Sequence, residues 1–184
     1  MAAKFENMLL VSGSGRNVGK TTFICRIITQ NTAKKIVAIK ITPHFHKTTF
    51  GLIPLHIAEN YTVYEEIDRF SDKDTSLFLQ AGAKRVFFIQ AKDDQLEAAF
   101  GIVSTLIDPE QPVIIESAAL RKIRVPNLYI FIQKKFETVK PSAHEMQKLA
   151  DISVFSEEES FSIDPQTIQF NLTWKIHDHV AASH

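Results

Sequence analysis

The chain has 184 residues, of which 45% are hydrophobic and 23% charged, and its formal net charge is zero. This length suits one domain with a sizeable core, and the neutral balance excludes a broad attraction to nucleic acid or to an anionic membrane. A single cysteine, Cys25, excludes an intramolecular disulfide. No apolar run is long enough to span a bilayer and no signal segment is visible, so we expect a protein of the reducing cytoplasm.

A strand, a glycine-rich turn and a helix follow one another near the start of the chain. The apolar run Met8–Val11 predicts a buried strand, and apolar residues at helical spacing predict a helix from Thr21 to about Gln30. Between them the chain reads Gly13-Ser14-Gly15-Arg16-Asn17-Val18-Gly19-Lys20-Thr21-Thr22. This order is the pattern of a phosphate-binding loop, and it disfavours the alternative of an ordinary Gly/Ser turn.

The residue types of this loop suit a nucleotide with Mg²⁺. Glycines let the backbone wrap a phosphate with its N–H groups, and the helix N-terminus adds unpaired donors. We expect Lys20 to reach the β- and γ-phosphates and the Thr21 hydroxyl to complete a Mg²⁺ shell. Arg16 and Asn17, at the tip of the loop, are candidate contacts of the γ-phosphate, including across a dimer. All residues from Gly13 to Thr22 are therefore predicted to bind the nucleotide.

The remaining elements alternate between strand-like and helix-like segments. Further strands are predicted at Ile36–Ile41, Arg85–Ile89, Pro112–Glu116, Leu128–Ile132 and Ile152–Phe155. Helices are predicted from Asp94 to Ile107 and, behind a capping box at Ser142–Glu145, through Leu149. No element is assigned after Glu157. We predict one α/β domain, residues 1–184, with the three-layer fold of a P-loop NTPase and a mostly parallel central sheet.

An insertion of about residues 42–72 follows the second predicted strand. It carries few helical signals and an alternating stretch, Tyr61–Ile67, which predicts an antiparallel hairpin or an extension of the sheet edge. A substrate lid and a dimerisation arm are both open as roles. The apolar residues Phe50, Leu52, Ile53 and Leu55 favour a homodimer surface.

Two charged residues extend the predicted nucleotide site beyond the loop. Glu116 ends an apolar strand, where open α/β sheets bind ligands, so we predict that it holds Mg²⁺ together with Thr21; the alternative is a solvated strand end. Lys40 interrupts an apolar strand and is a candidate phosphate contact, or else a lysine that extends past the sheet edge. Lys20 and Glu116 are the predicted catalytic residues, because they would stabilise the transferred phosphoryl group and organise the metal.

Other polar residues have a functional and an ordinary interpretation. His44 and His46 alternate in an extended segment and are candidates for a metal or a phosphorylated substrate, but an ordinary polar loop is favoured. Asp74 is either a second acid near the metal or the N-cap of a short helix, and capping is favoured. Two basic clusters are Arg121, Lys122 and Arg124, and Lys134 with Lys135. For the first a solvated turn is favoured. Near the second no guanine-binding Asn-Lys-x-Asp motif stands, so GTP and ATP both remain open.

The order of these motifs resembles the molybdopterin-guanine dinucleotide biosynthesis protein B family over roughly residues 7–132. That family has a phosphate loop, a Lys-His-rich segment after strand two, a Lys-Asp-Ser motif followed by Ala-Gly-Ala, and a strand ending Glu-Gly. The corresponding segments here are Lys40-Ile41-Thr42-Pro43-His44-Phe45-His46, Asp72-Lys73-Asp74-Thr75-Ser76, Gln80-Ala81-Gly82-Ala83 and Glu116-Ser117. The resemblance implies a GTP-binding accessory protein of molybdenum cofactor maturation that acts on a pterin-type compound.

The loop departs from that family in its spacing. Five residues separate Gly13 from Gly19-Lys20 instead of four, and Ser14 occupies the usual glycine position. This variant resembles the loop of dethiobiotin synthetase and the cobyrinic-acid amidases. It implies an ATP-dependent ligase or kinase that activates a small acid by phosphoryl transfer. A third alternative is a module in which nucleotide binding regulates a partner.

Overall fold

The computed structural model describes residues 4–177 of the chain. The strands are β1 (Lys4–Gly13), β2 (Val37–Thr42), β3 (Leu52–Ile57), β4 (Tyr61–Glu66), β5 (Arg85–Ala91), β6 (Val113–Glu116), β7 (Val125–Lys134), β8 (Ile152–Glu157), β9 (Ser160–Phe161), β10 (Ile168–Asn171) and β11 (Thr173–Ile176). The α-helices are α1 (Lys20–Gln30), α2 (Asp74–Gln80), α3 (Leu96–Ser104) and α4 (Pro141–Lys148). None of the helices in this range is both long and apolar enough to cross a membrane.

A mostly parallel sheet forms the centre of the molecule. Its strand order is β3-β4-β5-β2-β6-β1-β7-β8-β9, and β10 pairs with β11 in a separate hairpin. In this order across the sheet, all neighbouring strands between β5 and β8 are parallel. The strands β3 and β4 at one edge and β9 at the other are antiparallel to their neighbours. The α/β class and the mostly parallel sheet predicted from the sequence are therefore confirmed.

The core lies on both faces of this sheet, because side chains alternate along the strands. Leu9 and Val11 of β1 pack on one face with α1, α2 and the β10–β11 hairpin. Met8 and Leu10 pack on the other face with α3 and α4. Both faces are covered, as is usual for parallel strands that read as continuous apolar runs.

The predicted hairpin extends one edge of the sheet. β3 and β4 pair antiparallel, and β4 pairs antiparallel with β5. Of the apolar residues expected at a dimer surface, Phe50, Ile53 and Leu55 are exposed, whereas Leu52 is buried and packs with Tyr64. Leu52 therefore belongs to the core of this protomer and not to its surface.

Two predicted helices differ from the observed ones. The helix expected over Asp94–Ile107 is limited to α3, because residues 93–95 form a short 3-10 turn before it. The capping box at Ser142 is wrong. Pro141 begins α4, where its fixed φ suits the first helical position, so Ser142 lies inside the first turn; the preceding Lys140 makes no side-chain cap.

The strands β10 and β11, which were not predicted from the sequence, contact the C-terminal end of α1 through Asn31. Asn31 follows this helix and is buried. Its side-chain amide donates to the carbonyls of Ile27 and Ile168, both at 2.9 Å, and its carbonyl oxygen accepts from the Phe170 N–H at 3.0 Å. Trp174 adds a 2.9 Å bond from its indole N–H to the carbonyl of Asn7. One buried asparagine thus joins α1 to the β10–β11 hairpin.

Candidate functional site

The predicted phosphate loop, residues 13–19, connects the end of β1 to the start of α1. It is anchored to the neighbouring strand β7, since the Ser14 N–H donates to the Ile132 carbonyl at 2.9 Å. A Cβ added at Gly13 would lie 2.6 Å from that carbonyl oxygen and 2.8 Å from Cγ2 of Val18. Only glycine fits at position 13 without a shift of the backbone.

The loop ends in an uncapped helix N-terminus. Gly19 is the N-cap of α1 in a left-handed conformation, φ 90°, and no side chain among residues 4–177 caps the helix. Asn17 is also left-handed, with φ 58°. Gly19, Thr21 and Thr22 line a cleft of about 620 Å³. The first turn of α1 therefore opens on a cleft with donor groups and a positive dipole end suited to an anion.

Lys20 folds back over the loop. Its Nζ donates to the carbonyl oxygen of Gly15 at 2.8 Å and lies 3.9 Å from Oε1 of Glu116. Burial lowers the pKa of Lys20 and nearby Lys40 lowers it further, while Glu116 and Asp74 act against both. Lys20 is thus held inside the loop.

Glu116 and Lys40 meet at the carboxyl ends of adjacent strands. They are paired in register across β6 and β2, and Glu116 is opposite Val11 of β1. Glu116 is only 8% exposed. Its Oε2 lies 3.6 Å from Nζ of Lys40, yet this buried oxygen accepts no hydrogen bond from any residue between 4 and 177. Burial raises the pKa of Glu116, and the two lysines oppose the rise.

Asp74 completes the group, and the expectation that it caps α2 is wrong. Lys73 is the N-cap, and Asp74 is the first residue of the helix. The Asp74 carboxylate instead accepts a 2.8 Å hydrogen bond from the Thr21 hydroxyl and another from Lys40. Burial would raise the pKa of Asp74, but the hydrogen bonds and charge of Lys40, with the bond from Thr21, bring it below its ordinary value. The Asp74 side chain therefore lies beside Lys40 and Thr21, a contact that the favoured capping role did not anticipate.

Two carboxylates, two ammonium groups and one hydroxyl therefore converge at the end of the loop, and we call them the charged cluster. Its members are Lys20, Thr21, Lys40, Asp74 and Glu116. Within residues 4–177 no group of three or more His, Cys, Asp or Glu side chains is arranged to hold a metal ion. A Mg²⁺ bound through phosphates and water needs only one or two carboxylates. The Glu116 oxygen that accepts no hydrogen bond, the Asp74 carboxylate and the Thr21 hydroxyl fit such an ion.

The cleft continues on the other side of the loop as a second cavity of about 820 Å³. Arg16, Lys40 and His44 line both cavities, and His46 lines the first. Both histidines are exposed. The second cavity extends past Ser117 to the first turn of α4. The two cavities together provide space for a nucleotide and for a second small molecule.

The two basic clusters lie mostly in ion pairs away from the charged cluster. Lys122 pairs with Asp93 at 2.9 Å, and Arg124 pairs with Glu97. Lys134 and Lys135 pair with Glu137 and Glu157, at 3.2 and 2.8 Å. The half-exposed Lys122 agrees with the solvated turn expected for the first cluster, although it also borders the second cavity. The Arg124 side chain does not, because it is only 19% exposed and lies over the rings of Phe5 and Phe100.

Sequence reasoning missed residues of the unassigned tail. Glu158 lines the first cavity, and Phe161 packs edge-on against Phe23, with ring centroids 4.9 Å apart. A Cβ at Gly19 would lie 3.0 Å from the Phe161 ring, so the tail supports the loop from outside. No local pattern around residue 160 indicates this contact, because β9 has only two residues.

Family models, curated proteins and solved structures all gave no match to this chain. Its function is therefore inferred from the chemistry of the charged cluster and of the loop beside it. Both lie at the carboxyl ends of parallel strands, where open α/β sheets bind their ligands.

Proposed function

We propose that this protein is a Mg²⁺-dependent nucleoside triphosphatase with the three-layer P-loop NTPase fold. The observation that supports this most is the contact between Asp74 and Thr21 beside the buried Oε2 of Glu116, which accepts no hydrogen bond from residues 4–177. A carboxylate that orients a hydroxyl at the end of the loop, next to a second carboxylate with an oxygen that accepts no hydrogen bond, is a donor set for Mg²⁺. An adventitious glycine turn would need neither carboxylate.

The residues of the charged cluster have distinct roles in this proposal. The loop backbone and Lys20 bind the phosphates and stabilise charge on the transferred phosphoryl group. Thr21, Asp74 and Glu116 hold Mg²⁺, which supplies charge neutralisation when bound. Lys40, placed between both carboxylates, balances their charge and contacts phosphate. The catalytic power comes from position and electrostatics, since phosphoryl transfer requires little covalent participation by the protein.

The narrower proposal is a GTP-dependent accessory role in molybdenum cofactor maturation, on a pterin-type compound. Its support is the resemblance of the Lys73-Asp74-Thr75 segment and the Ala81-Gly82-Ala83 segment to the molybdopterin-guanine dinucleotide biosynthesis protein B family. We include a homodimer in this proposal, because the edge strand β3 carries the exposed side chains Ile53, Leu55 and Ile57. The cytoplasm remains the expected compartment.

The second candidate is an ATP-dependent ligase or kinase for a small acid. The five-residue loop spacing favours it, and so does the second cavity of about 820 Å³ that shares Lys20, Lys40 and Glu116 with the first. A regulatory nucleotide-binding module is the third candidate, distinguished by tight binding with negligible turnover.

The test is a titration of N-methylanthraniloyl-GTP and N-methylanthraniloyl-ATP, each with Mg²⁺, into wild-type protein, Lys20→Ala and Lys34→Ala. Lys34 is exposed beyond the opposite end of α1, so its variant is the control for loss of one lysine charge. We expect Lys20→Ala to weaken binding about tenfold to a hundredfold, as for a charge-assisted hydrogen bond, and Lys34→Ala to change it less than about twofold.

The base preference separates the first two candidates. Preference for GTP favours the molybdenum cofactor role, and preference for ATP favours the ligase. Binding that Lys20→Ala weakens no more than Lys34→Ala does, or no binding of either analogue to wild-type protein, would contradict the proposed function.

A further inference from the structure

A second buried carboxylate, Glu66, lies at the base of the β3–β4 hairpin. Its side chain is 0% exposed. One oxygen accepts from the Asp68 N–H at 3.0 Å, and the other accepts from the Thr75 hydroxyl at 2.8 Å and lies 2.9 Å from Nζ of Lys73. Glu66 is thus fully engaged with donors, in contrast to Glu116.

The partners of Glu66 flank Asp74 in the chain. Lys73 immediately precedes Asp74 and Thr75 immediately follows it, and both bind Glu66, whereas the Asp74 carboxylate turns to Thr21 and Lys40. The first turn of α2 is therefore held by the hairpin on one side, and it presents Asp74 to the charged cluster on the other.

Lys73 also holds the first residues of the hairpin. Its Nζ donates to the Phe50 carbonyl at 2.8 Å and to the Thr49 hydroxyl at 3.3 Å. Gly51 follows with φ 90°, and a Cβ there would lie 2.5 Å from Oε1 of Glu66. The start of β3, the end of β4 and the start of α2 thus meet at one carboxylate, which only glycine can approach this closely.

We infer that Glu66 is a positioning residue that fixes the Asp74 carboxylate against Thr21 and couples the β3–β4 hairpin to the Mg²⁺ side of the site. This inference rests on the proposed function, because Asp74 matters through the metal. A group that orients a metal-binding carboxylate commonly changes metal affinity tenfold to a hundredfold when it is altered.

The test compares Glu66→Gln with Glu65→Gln. Glu65 is the adjacent residue of β4 and accepts two hydrogen bonds from Arg85, at 2.7 and 3.0 Å, so its variant also removes one ion-paired carboxylate from the hairpin. N-methylanthraniloyl-GTP and -ATP are titrated at a series of Mg²⁺ concentrations and in EDTA. We expect Glu66→Gln to raise the Mg²⁺ concentration for half-maximal effect at least tenfold, with affinity in EDTA changed less than about twofold. Glu65→Gln is expected to leave both values unchanged.

A merely structural role would give a different pattern. Equal losses with Mg²⁺ and in EDTA, or no loss in Glu66→Gln, would overturn the inference. If Glu66→Gln does not fold, Thr75→Val replaces it, because valine keeps the volume and removes one hydrogen bond. We then expect a shift of about threefold in the Mg²⁺ dependence alone, and a shift no larger than that of Glu65→Gln would overturn the inference.

Hydrogen exchange without nucleotide separates this inference from the proposed function. If wild-type protein binds neither analogue, the proposed function is wrong. The coupling is then supported if Glu66→Gln increases exchange of the Phe23 and Leu77 amides, which donate to the Gly19 and Lys73 carbonyls at 2.9 Å, at an unchanged global unfolding midpoint while Glu65→Gln does not. Unchanged exchange at these amides would overturn the coupling as well.

Discussion

Replacement of Gly13 by alanine tests how closely the predicted phosphate loop fits against β7. The new Cβ would lie 2.6 Å from the Ile132 carbonyl oxygen, so the backbones must separate by about 0.8 Å to reach ordinary contact. Overpacking of this kind costs about 1–3 kcal/mol, and the 2.9 Å bond from Ser14 to the same carbonyl is worth about 1 kcal/mol. We expect the free energy of unfolding to fall by about 2–4 kcal/mol.

Urea unfolding followed by circular dichroism measures this change. With a slope of about 2 kcal/mol per molar, the midpoint of Gly13→Ala is expected about 1–2 M below that of wild-type protein. Gly15→Ala is the matched control, because a Cβ there has no neighbour within 4 Å. Its free energy of unfolding is expected to stay within about 0.5 kcal/mol of wild type, so that any lost nucleotide affinity reports on the ligand itself. Equal midpoints for Gly13→Ala and wild type would refute the reasoning.

Three further predictions concern charge and assembly. Burial raises the pKa of Glu116, so the folded protein holds this proton more tightly than the unfolded chain. The free energy of unfolding should therefore fall as the pH rises from the ordinary glutamate pKa through the raised one. This fall should be absent in Glu116→Gln, and identical pH profiles for wild type and this variant would contradict the prediction. Asp74 has the opposite sign: burial favours its neutral form, but the bonds from Lys40 and Thr21 lower the pKa. Wild type should accordingly be more stable than Asp74→Asn above the ordinary aspartate pKa, and this stability difference should vanish as the pH falls through the lowered pKa of Asp74. A stability difference that does not depend on pH in urea unfolding would count against this prediction. Ile57 is 60% exposed on the edge strand, so Ile57→Lys should disrupt the proposed homodimer. Its sedimentation coefficient should then be lower than that of wild-type protein or of Lys34→Ala.

The loop was predictable because its signals are local. Gly13, Gly19 and Lys20 stand within eight residues of one another, between a strand and a helix that each have a clear apolar pattern. The parallel strands were predictable for the same reason, since each is a continuous apolar run.

Asp74 was misassigned because its partners are distant in the chain. Thr21 is 53 residues away and Lys40 is 34 residues away. An aspartate before a helical pattern is typical of an N-cap, and no local signal shows that Lys73 takes that position while Asp74 faces the loop. The role of Glu66 was hidden in the same way, because alternation in β4 shows burial but not the donors that gather around it.

The tail could not be assigned because its strands are short. β10 and β11 have four residues each, too few to establish a period, and they are held by single side chains from elsewhere, such as Asn31. Residues 178–184 lie outside the described range.

Asn31, which joins α1 to the β10–β11 hairpin, also imposes an order on folding during synthesis, because its bonds form only after the hairpin has been made. The loop and α1 leave the ribosome early, but the Asn31 side chain finds its partners only when residues 168–170 have been made. At a translation rate of about 5–20 residues per second, this delay lasts roughly 7–30 s. Strand β1 waits as well, because its neighbours are β6 and β7. During that interval the apolar face of α1 has no hairpin to cover it, so the nascent chain exposes apolar surface that the complete fold buries.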